Sequence, residues 1–572
     1  MKKPFCCSIF FFAGSLAIAQ SGRSIVGVDR IVDPYHFSIV KDAEFKNAVV
    51  VSAHSLASEV GAAIMKKGGN AYDAAIAVQL SLAVVYPGAG NIGGGGLLIG
   101  SLGAGKIIAI DYREKAPAAA SENMYLDNNG TAQTQLSQNG HRASGVPGTI
   151  AGLAATFAYA RLPWKELVQP AIDLAEFGFA ISEREARSLN LYRKDFMRYG
   201  TRPSAFISKG TWKAGDTLVQ KQLASTLKRI RDNGAKGFYQ GKTAQLIVEE
   251  MKRGKGLITL EDLKNYKAVV RQPLHVQYRG YDVYSFPPPS SGGIIVGQLL
   301  KMIEPYPVSS YGFQSVRTTQ LMIEAERRAY ADRAEHMGDP DFWKVPVNTL
   351  LSSRYLTERM RDYDSTRATP SAKVSAGTIH ESEETTHVSI MDQEGNMVSV
   401  TTTLNGGYGS RTVVGGAGFL LNNEMDDFSI KPGVPNMYGA VGNRANAIEP
   451  AKRMLSSMTP TLMLKNGKPF LVVGTPGGTT IPNSVFESIV NIVDFKMSAA
   501  DAVNRPKFHH QWLPDVVTLE VGFPAATASA LKNMGYTIKQ TSAIGRTEMI
   551  KIVDATRQAA ADRRGDDSVA GF

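Results

Sequence analysis

Cysteine is almost missing from this chain: two in 572 residues, Cys6 and Cys7, both near the N-terminus. Beyond that terminus no run of about 20 apolar residues occurs, which excludes a spanning helix there. The longest interior candidate, Ala74 to Val85, is too short and carries Gln79, so it reads as a buried helix. At the N-terminus itself, Lys2 and Lys3 precede an apolar stretch from Phe5 to Leu16 and then Ala17-Ile18-Ala19. A charged start, a short apolar core and an A-x-A site predict a secretory signal peptide over residues 1–19, cut after Ala19. The protein is therefore expected to be periplasmic or secreted. Since both cysteines leave with the leader, the mature protein would have no thiol nucleophile, no disulfide and no cysteine metal ligand.

The charge present is basic: 63 Lys and Arg against 52 Asp and Glu, net +11. Losing Lys2 and Lys3 would take it from +11 to +9. A nucleic-acid binder concentrates such charge in a stripe or patch. Here it is scattered, in nothing tighter than pairs such as Lys66-Lys67, Arg327-Arg328 and Arg563-Arg564. No nucleic-acid partner is expected.

Val49-Val50-Val51 predicts a strand, and Leu56, Val60, Ala63 and Ile64 recur at helical spacing until Gly68-Gly69. Asn70, with Asp73 three residues on, predicts the cap of a second helix that stops at Pro87-Gly88. Gly88, Gly90 and Gly93 then match a dinucleotide fingerprint. That fingerprint requires a strand before it and a helix after it. The order is reversed here, with strand-like Leu97-Leu98-Ile99 following, so the glycines predict a close-packed backbone crossing. Residues 150–380 read as mostly helical, with Pro287 to Gly293 as a structural turn. No internal repeat is apparent. Residues 364–384 are polar, end in Glu381-Ser382-Glu383-Glu384, and read as an exposed linker open to cutting. From Thr386 the pattern becomes a β-hairpin, 386–391 and 397–401, turning at Asp392 to Asn396. A further strand, Phe470 to Val473, runs through Gly477-Gly478 into a helix starting near Pro482. Paired glycine amides at such a junction form an anion nest.

Several site types fail on spacing. His380-Glu381 begins like H-E-x-x-H, but Glu384 occupies the second histidine's position. Neither a Walker motif nor a G-x-S-x-G elbow occurs. His509-His510 would point apart on a strand. No metal site is predicted. Threonine and serine remain, dense near position 385. A threonine hydroxyl needs a base, and a chain that begins at the threonine supplies its own α-amine, with pKa near 7.7–8.0. The polar linker running into Thr385-Thr386 suits that arrangement. It suits equally an ordinary linker entering a hairpin, and the pattern does not choose between them.

The ordered motifs do choose. Thr385-Thr386-His387, Thr403-Leu404-Asn405, Leu421 to Phe428, Ser456 to Pro460 and Pro476-Gly477-Gly478 resemble the γ-glutamyltranspeptidase family. So do Asp111 to Pro117, Gly145 to Gly148, Pro287 to Gly293 and Ala329 to Arg333 in the first half. The resemblance spans nearly the whole mature chain. It implies the N-terminal-nucleophile hydrolase fold: α+β, a four-layer αββα sandwich built by two subunits of one self-cleaved precursor. Residues 20–384 would form the large subunit and residues 385–572 the small one, cut between Glu384 and Thr385.

By the same resemblance Thr385 is the nucleophile of both self-cleavage and catalysis, Thr403 is hydrogen-bonded to it, and the Gly477 and Gly478 amides hold the oxyanion. Arg113, Ser456 and Ser457 match residues that bind the α-carboxylate of a γ-glutamyl group. Asn405, Glu424 and Asp427 match residues that hold its α-ammonium. Pro432 to Gly442 resembles a lid, with Tyr438 matching the tyrosine that reaches toward Asn405. Glutathione and other γ-glutamyl compounds are the implied donors, water or amino acids and peptides the acceptors, with no cofactor. Thr402, Thr475, Thr479-Thr480 and Asn443-Arg444 depart from the family's usual residues, which bears on acceptor preference. A related acylase acting on glutaryl groups is disfavoured by Asp427, because such substrates lack an ammonium. A non-catalytic protein of the same fold is disfavoured by Thr385, Thr403 and the glycine pair.

Overall fold

Val49 and Val51 face one way and Val50 the other, and that alternation, repeated along each central strand, sorts the molecule into layers. The computed structural model describes residues 31–374 except Ala104, and residues 385–572 except Pro432, Tyr438, Ala440 and Val441. The predicted leader, His380-Glu381, Glu384 and Tyr438 lie outside the described residues.

Two seven-stranded sheets stack face to face. One runs, edge to edge, through Ser568–Gly571, Val49–Ser52, Thr386–Met391, Met397–Thr403, Gly95–Ser101, Ile107–Asp111 and Val269–Arg271. The other runs through Asp42–Phe45, Thr556–Ala561, Glu548–Val553, Lys468–Gly474, Thr461–Lys465, Tyr281–Ser285 and Leu274–Tyr278. Val49, Val51, Ile99 and Met397 of the first meet Leu462, Val472 and Ile550 of the second in an apolar layer between the sheets. Val50, Leu98, Val388 and Val400 turn outward onto the helices Ser55–Lys66 and Ala71–Val85. Val283, Leu471 and Val473 turn outward from the other sheet onto the helices Gly292–Ile303, Val316–His336 and Ile481–Val493. The result is the expected α+β, αββα stack, held by burial on three faces.

Local signals behaved as read in several places. The helix Ala71–Val85 is buried along its whole length, and Asn70 and Asp73 cap it reciprocally. The hairpin Thr386–Met391 and Met397–Thr403 pairs Thr386 with Thr402 and Met391 with Met397. The glycine run is a backbone crossing. A Cβ at Gly90 would lie 2.2 Å from the Leu82 carbonyl oxygen, at Gly93 2.1 Å from that of Leu420, and at Gly94 2.1 Å from that of Thr403.

Two readings need correction. The region 150–380 is not simply helical, because Val269–Arg271, Leu274–Tyr278 and Tyr281–Ser285 supply edge strands to both sheets. Leu274–Tyr278 alternates buried and exposed residues over only five positions, too short a signal to stand out among helices. Nor is 364–374 a free linker. Thr369 N–H donates to Glu324 at 3.2 Å, Ser371 N–H to Asp515 at 2.7 Å, and Val374 is buried. Among the described residues no helix is long and apolar enough to cross a membrane.

Candidate active site

Thr385 stands immediately before the strand Thr386–Met391 and is 4% exposed. Antiparallel pairing of Thr386 with Thr402 brings Thr403, the end of the neighbouring strand, to the same edge. Asn405 follows with φ 74°, turning the chain so that its N–H donates to Thr403 Oγ1 at 2.7 Å. Asn91 fixes this corner from the glycine crossing. Its Nδ2 donates to the Thr403 carbonyl at 2.8 Å and to Thr402 Oγ1 at 3.2 Å, while its Oδ1 accepts from Gly94 N–H. Thr402, one of the departures noted in the sequence, donates in turn to the Gly95 carbonyl at 2.7 Å. Thr385 and Thr403 line one cavity, but among the described residues no hydrogen bond joins their hydroxyls.

On the second sheet, the strand Lys468–Gly474 leads through Pro476 to Gly477 (φ 138°) and Gly478 (φ 52°), both conformations that favour glycine. Thr480 closes the turn, donating its N–H at 2.9 Å and its hydroxyl at 2.7 Å to the Gly477 carbonyl. The Gly477 and Gly478 N–H groups have no acceptor among the described residues, leaving a pair of donors at the predicted nest. Close stacking of the two sheets beside this turn depends on Gly474, where a Cβ would meet the ring of His387 from the facing sheet at 2.1 Å. That ring is fully buried and bonded to Thr401 Oγ1 at 2.9 Å, and burial pulls its pKa down to about 3, so it stays neutral.

Thr385 is shared by two cavities. The smaller, with about 20 Å³ of open space, is lined by Arg113, Arg333, Asn405, Glu424, Asp427, Ser456, Ser457 and Gly478. Arg113 enters it from the end of the strand Ile107–Asp111, its N–H held by Asp111 at 2.9 Å. The guanidinium contacts Glu424 at 2.5 Å, Asp427, and Glu114 at 3.6 Å. These carboxylates hold it above its ordinary pKa despite burial. One guanidinium cannot offset the fully buried Glu114 and Glu424 with the half-buried Asp427 beside them. Burial pushes Glu114 up to about 8 and Glu424 well above its ordinary range, against the pull of Arg113. Ser456 is braced by the segment Pro287 to Gly293: Ser291 donates N–H (2.8 Å) and Oγ (2.9 Å) to its carbonyl. The segment first read as a plain turn is therefore the floor under the serine pair. The larger cavity, about 380 Å³, opens on the other side of Thr385 and includes Gly477.

A threonine at the head of a strand, beside glycine amides with no acceptor among the described residues and an arginine–carboxylate cluster, is one arrangement drawn from both halves of the sequence. The family described as Gamma-glutamyltranspeptidase matches residues 57–572. The chain belongs to that family. It is 46% identical over 534 residues, 92% of each chain, to the glutathione hydrolase proenzyme of Escherichia coli (strain K12). Among solved structures it resembles the cephalosporin acylase of Bacillus halodurans at TM-score 0.83 and 27% identity, covering 96% and 99% of the two chains. It also resembles Helicobacter pylori gamma-glutamyltranspeptidase at TM-score 0.56 and 42% identity, covering 61% of this chain and 99% of that one.

The structure brings the nominated Arg113, Asn405, Glu424, Asp427, Ser456, Ser457, Thr385, Thr403 and Gly478 to one pocket, with Gly477 beside it. Arg333, Arg546 and Asn436 were not nominated. Arg333 donates to Ser457 Oγ at 3.3 Å and to Ser291 Oγ at 3.2 Å. Arg546 donates to the Thr385 carbonyl at 3.3 Å, and Asn436, in the segment expected to be a lid, to Asp427 at 3.0 Å. Arg333 lay inside a quoted motif, whereas Arg546 carried no local signal. His509 and His510 do point apart, to Asn483 and Asp515.

Proposed function

We propose that this protein is an autoprocessed γ-glutamyltranspeptidase and glutathione hydrolase. The observation that carries this is the placement of Thr385 between an arginine–carboxylate pocket and an open cleft, beside two glycine amides that have no acceptor among the described residues. Thr385 Oγ1 attacks the carbonyl before it, and hydrolysis of the resulting ester frees the α-amine as the base for later turnovers. Residues 20–384 and 385–572 remain together as a heterodimer. Strands from both sides of the cut interleave in each sheet, which supports that assembly.

In turnover, Thr385 takes the γ-glutamyl group of glutathione or another γ-glutamyl amide as an ester and releases the amine. Water or an amino acid or peptide amine then accepts the group. Gly477 and Gly478 amides hold the oxyanion, a contribution of about 3–4 kcal/mol per well-placed donor. Thr403 orients Thr385. Arg113, Ser456 and Ser457 take the substrate α-carboxylate, and Asn405, Glu424 and Asp427 take its α-ammonium. Arg113 is paired with Glu424 and Asp427, so a bound zwitterion exchanges one set of ion pairs for another. Tyr438 joins this substrate-binding set by the family resemblance alone. The location is periplasmic or secreted, through the leader 1–19.

The test is processing. At about 108 Da per residue, the two pieces should run near 39 and 20 kDa, since this nucleophile requires a free terminus. Thr385→Ala should remain one inactive chain. A small fragment beginning anywhere but Thr385 would refute the assignment.

A further inference from the structure

Arg546 stands on the loop before the strand Glu548–Val553, in the sheet that carries the glycine turn. Gly545 lets this loop close on that turn. At φ 64°, a Cβ there would lie 2.6 Å from Thr475 Oγ1 and 3.1 Å from the Pro476 carbonyl oxygen. The Arg546 backbone N–H donates to Thr475 Oγ1 at 2.8 Å, and Thr475 donates onward to the Pro476 carbonyl at 2.7 Å. From this anchor the side chain reaches the facing sheet, where Nη2 donates to the Thr385 carbonyl at 3.3 Å. The guanidinium is fenced in. It lies 5.3 Å from the Tyr86 ring and 3.8 Å from the Asp567 carboxylate, and a Cβ at Gly565 would come within 3.0 Å of Nη1. The side chain is only 14% exposed, so solvent screens its charge little.

Beside Asp567 lies Glu548, and both are fully buried. Burial and the Asp567 charge push Glu548 well above the ordinary carboxylate range, so it keeps its proton and adds no second negative charge behind Arg546. Most other charges around Thr385 are committed elsewhere. In the smaller pocket Arg113 is paired with Glu424 and Asp427, and Arg333 donates to serine hydroxyls. In the cleft Arg564 pairs with Glu520 and Asp562, Arg184 faces Asp566, and the Glu185 carboxylate caps its own helix at Ser182. Arg187, 75% exposed at the cleft edge, pairs with Glu183 in solvent. The remaining titratable groups of the cleft wall are Tyr86, Tyr192 and Tyr408.

We infer that Arg546 is a positioning residue for Thr385: it clamps the nucleophile's carbonyl to the glycine turn and fixes a positive charge beside the nucleophile's own nitrogen. This rests on Thr385 being the nucleophile freed by self-cleavage. A residue's carbonyl oxygen is three bonds from its nitrogen, within about 4 Å, which brings the Arg546 guanidinium to within about 7 Å of the freed α-amine. A like charge at that range disfavours the ammonium form. The amine therefore stays neutral, and able to take the Thr385 Oγ1 proton, at lower pH than an ordinary chain terminus.

The test is the pH profile of kcat/KM for p-nitroaniline release from γ-glutamyl-p-nitroanilide, on fully processed protein. This quantity reports acylation from the free enzyme, and its acid limb reports the base. The wild-type limb should fall below the roughly 7.7–8.0 of a free chain terminus. Arg546→Gln should move it up by about one pH unit, as loss of a neighbouring like charge does. Arg546→Lys, which keeps the charge without the planar fork, should hold the limb near wild type while lowering the plateau. A glutamine variant that lowers the plateau and leaves the limb unmoved would reduce Arg546 to a support of the fold and overturn the inference. A wild-type limb at or above the free-terminus value would overturn it with no variant needed. Absence of p-nitroaniline release by wild type at every pH would instead overturn the assignment of Thr385, and this inference with it.

Discussion

On one side of Thr385 lies a pocket with about 20 Å³ of open space, filled by its own ion cluster; on the other lies a cleft of about 380 Å³ walled by aromatic rings. The first is built from charges with almost no solvent contact: Arg113 is 1% exposed and Glu424 and Glu114 are fully buried. Buried charges discriminate sharply, because a ligand that fails to replace each partner strands a charge. The second relies on apolar contact and a solvent-exposed cation, which discriminate weakly. The contrast teaches that one half of the substrate should be read strictly and the other loosely.

The largest expected effects test the strict side. Arg113→Ala and Asp427→Asn should each cost about 2–5 kcal/mol, roughly thirtyfold to several thousandfold in kcat/KM, on γ-glutamyl donors. Asp427→Asn should lose far less on glutaryl anilides, which lack the ammonium. Arg113→Ala should lose less on γ-aminobutyryl anilides, which lack the α-carboxylate. Equal losses on all three donors, measured on processed protein, would remove the division of labour between the two residues.

Next in size is Gly94→Ala. Its Cβ would sit 2.1 Å from the Thr403 carbonyl oxygen, so the Thr403 corner, part of the smaller cavity's lining, must move. A displacement near 1 Å beside a nucleophile costs about 100-fold in kcat. The measurement is kcat on folded, processed variant, and a value within twofold of wild type would show that Thr403 has no positioning role.

The smallest effect concerns stability. Folded Glu114 keeps its proton up to about pH 8, through burial opposed by Arg113, with Asp427 and Asp111 as acidic neighbours that add to the shift. The unfolded chain releases that proton near 4.5. Between these values the folded state holds more protons, so stability falls as pH rises from about 4.5 to about 8 and levels off above. Glu114→Gln should flatten that part of the Tm–pH curve by a few degrees. An identical slope in wild type and variant would place Glu114 in its ionised form.

The strict side was the more legible one in the sequence. Arg113, Glu424, Asp427 and Ser456 each sit in a compact motif, and short motifs survive as text when the residues that share a site are hundreds of positions apart. Helix caps and the hairpin were legible because their signals are contiguous in the sequence, Asn70 to Asp73 for a cap and 386–401 for the hairpin. The loose side was not. Arg187 and Leu191 share one face of the helix Glu183–Leu191, but Tyr408 reaches them only through packing, and none of the three sits in a pattern that demands it. The strands Leu274–Tyr278 and Tyr281–Ser285 were missed for a related reason, since an edge hairpin in a helical region has too few turns of alternation to declare itself. The donor to the Thr385 carbonyl, Arg546, comes from 161 residues away and is a product of the fold alone.

The burial of Thr385 has a consequence for timing. Its neighbours arrive from strands that begin at Gly95, Met397 and Lys468, so the two sheets must be stacked before the hydroxyl meets the glycine amides. If the cut before Thr385 is made by Thr385 itself, each cut chain carries a permanent record that it once reached the native arrangement. The ratio of short to long chains on a denaturing gel then counts successful folding events, molecule by molecule, even after those molecules have been unfolded for the measurement.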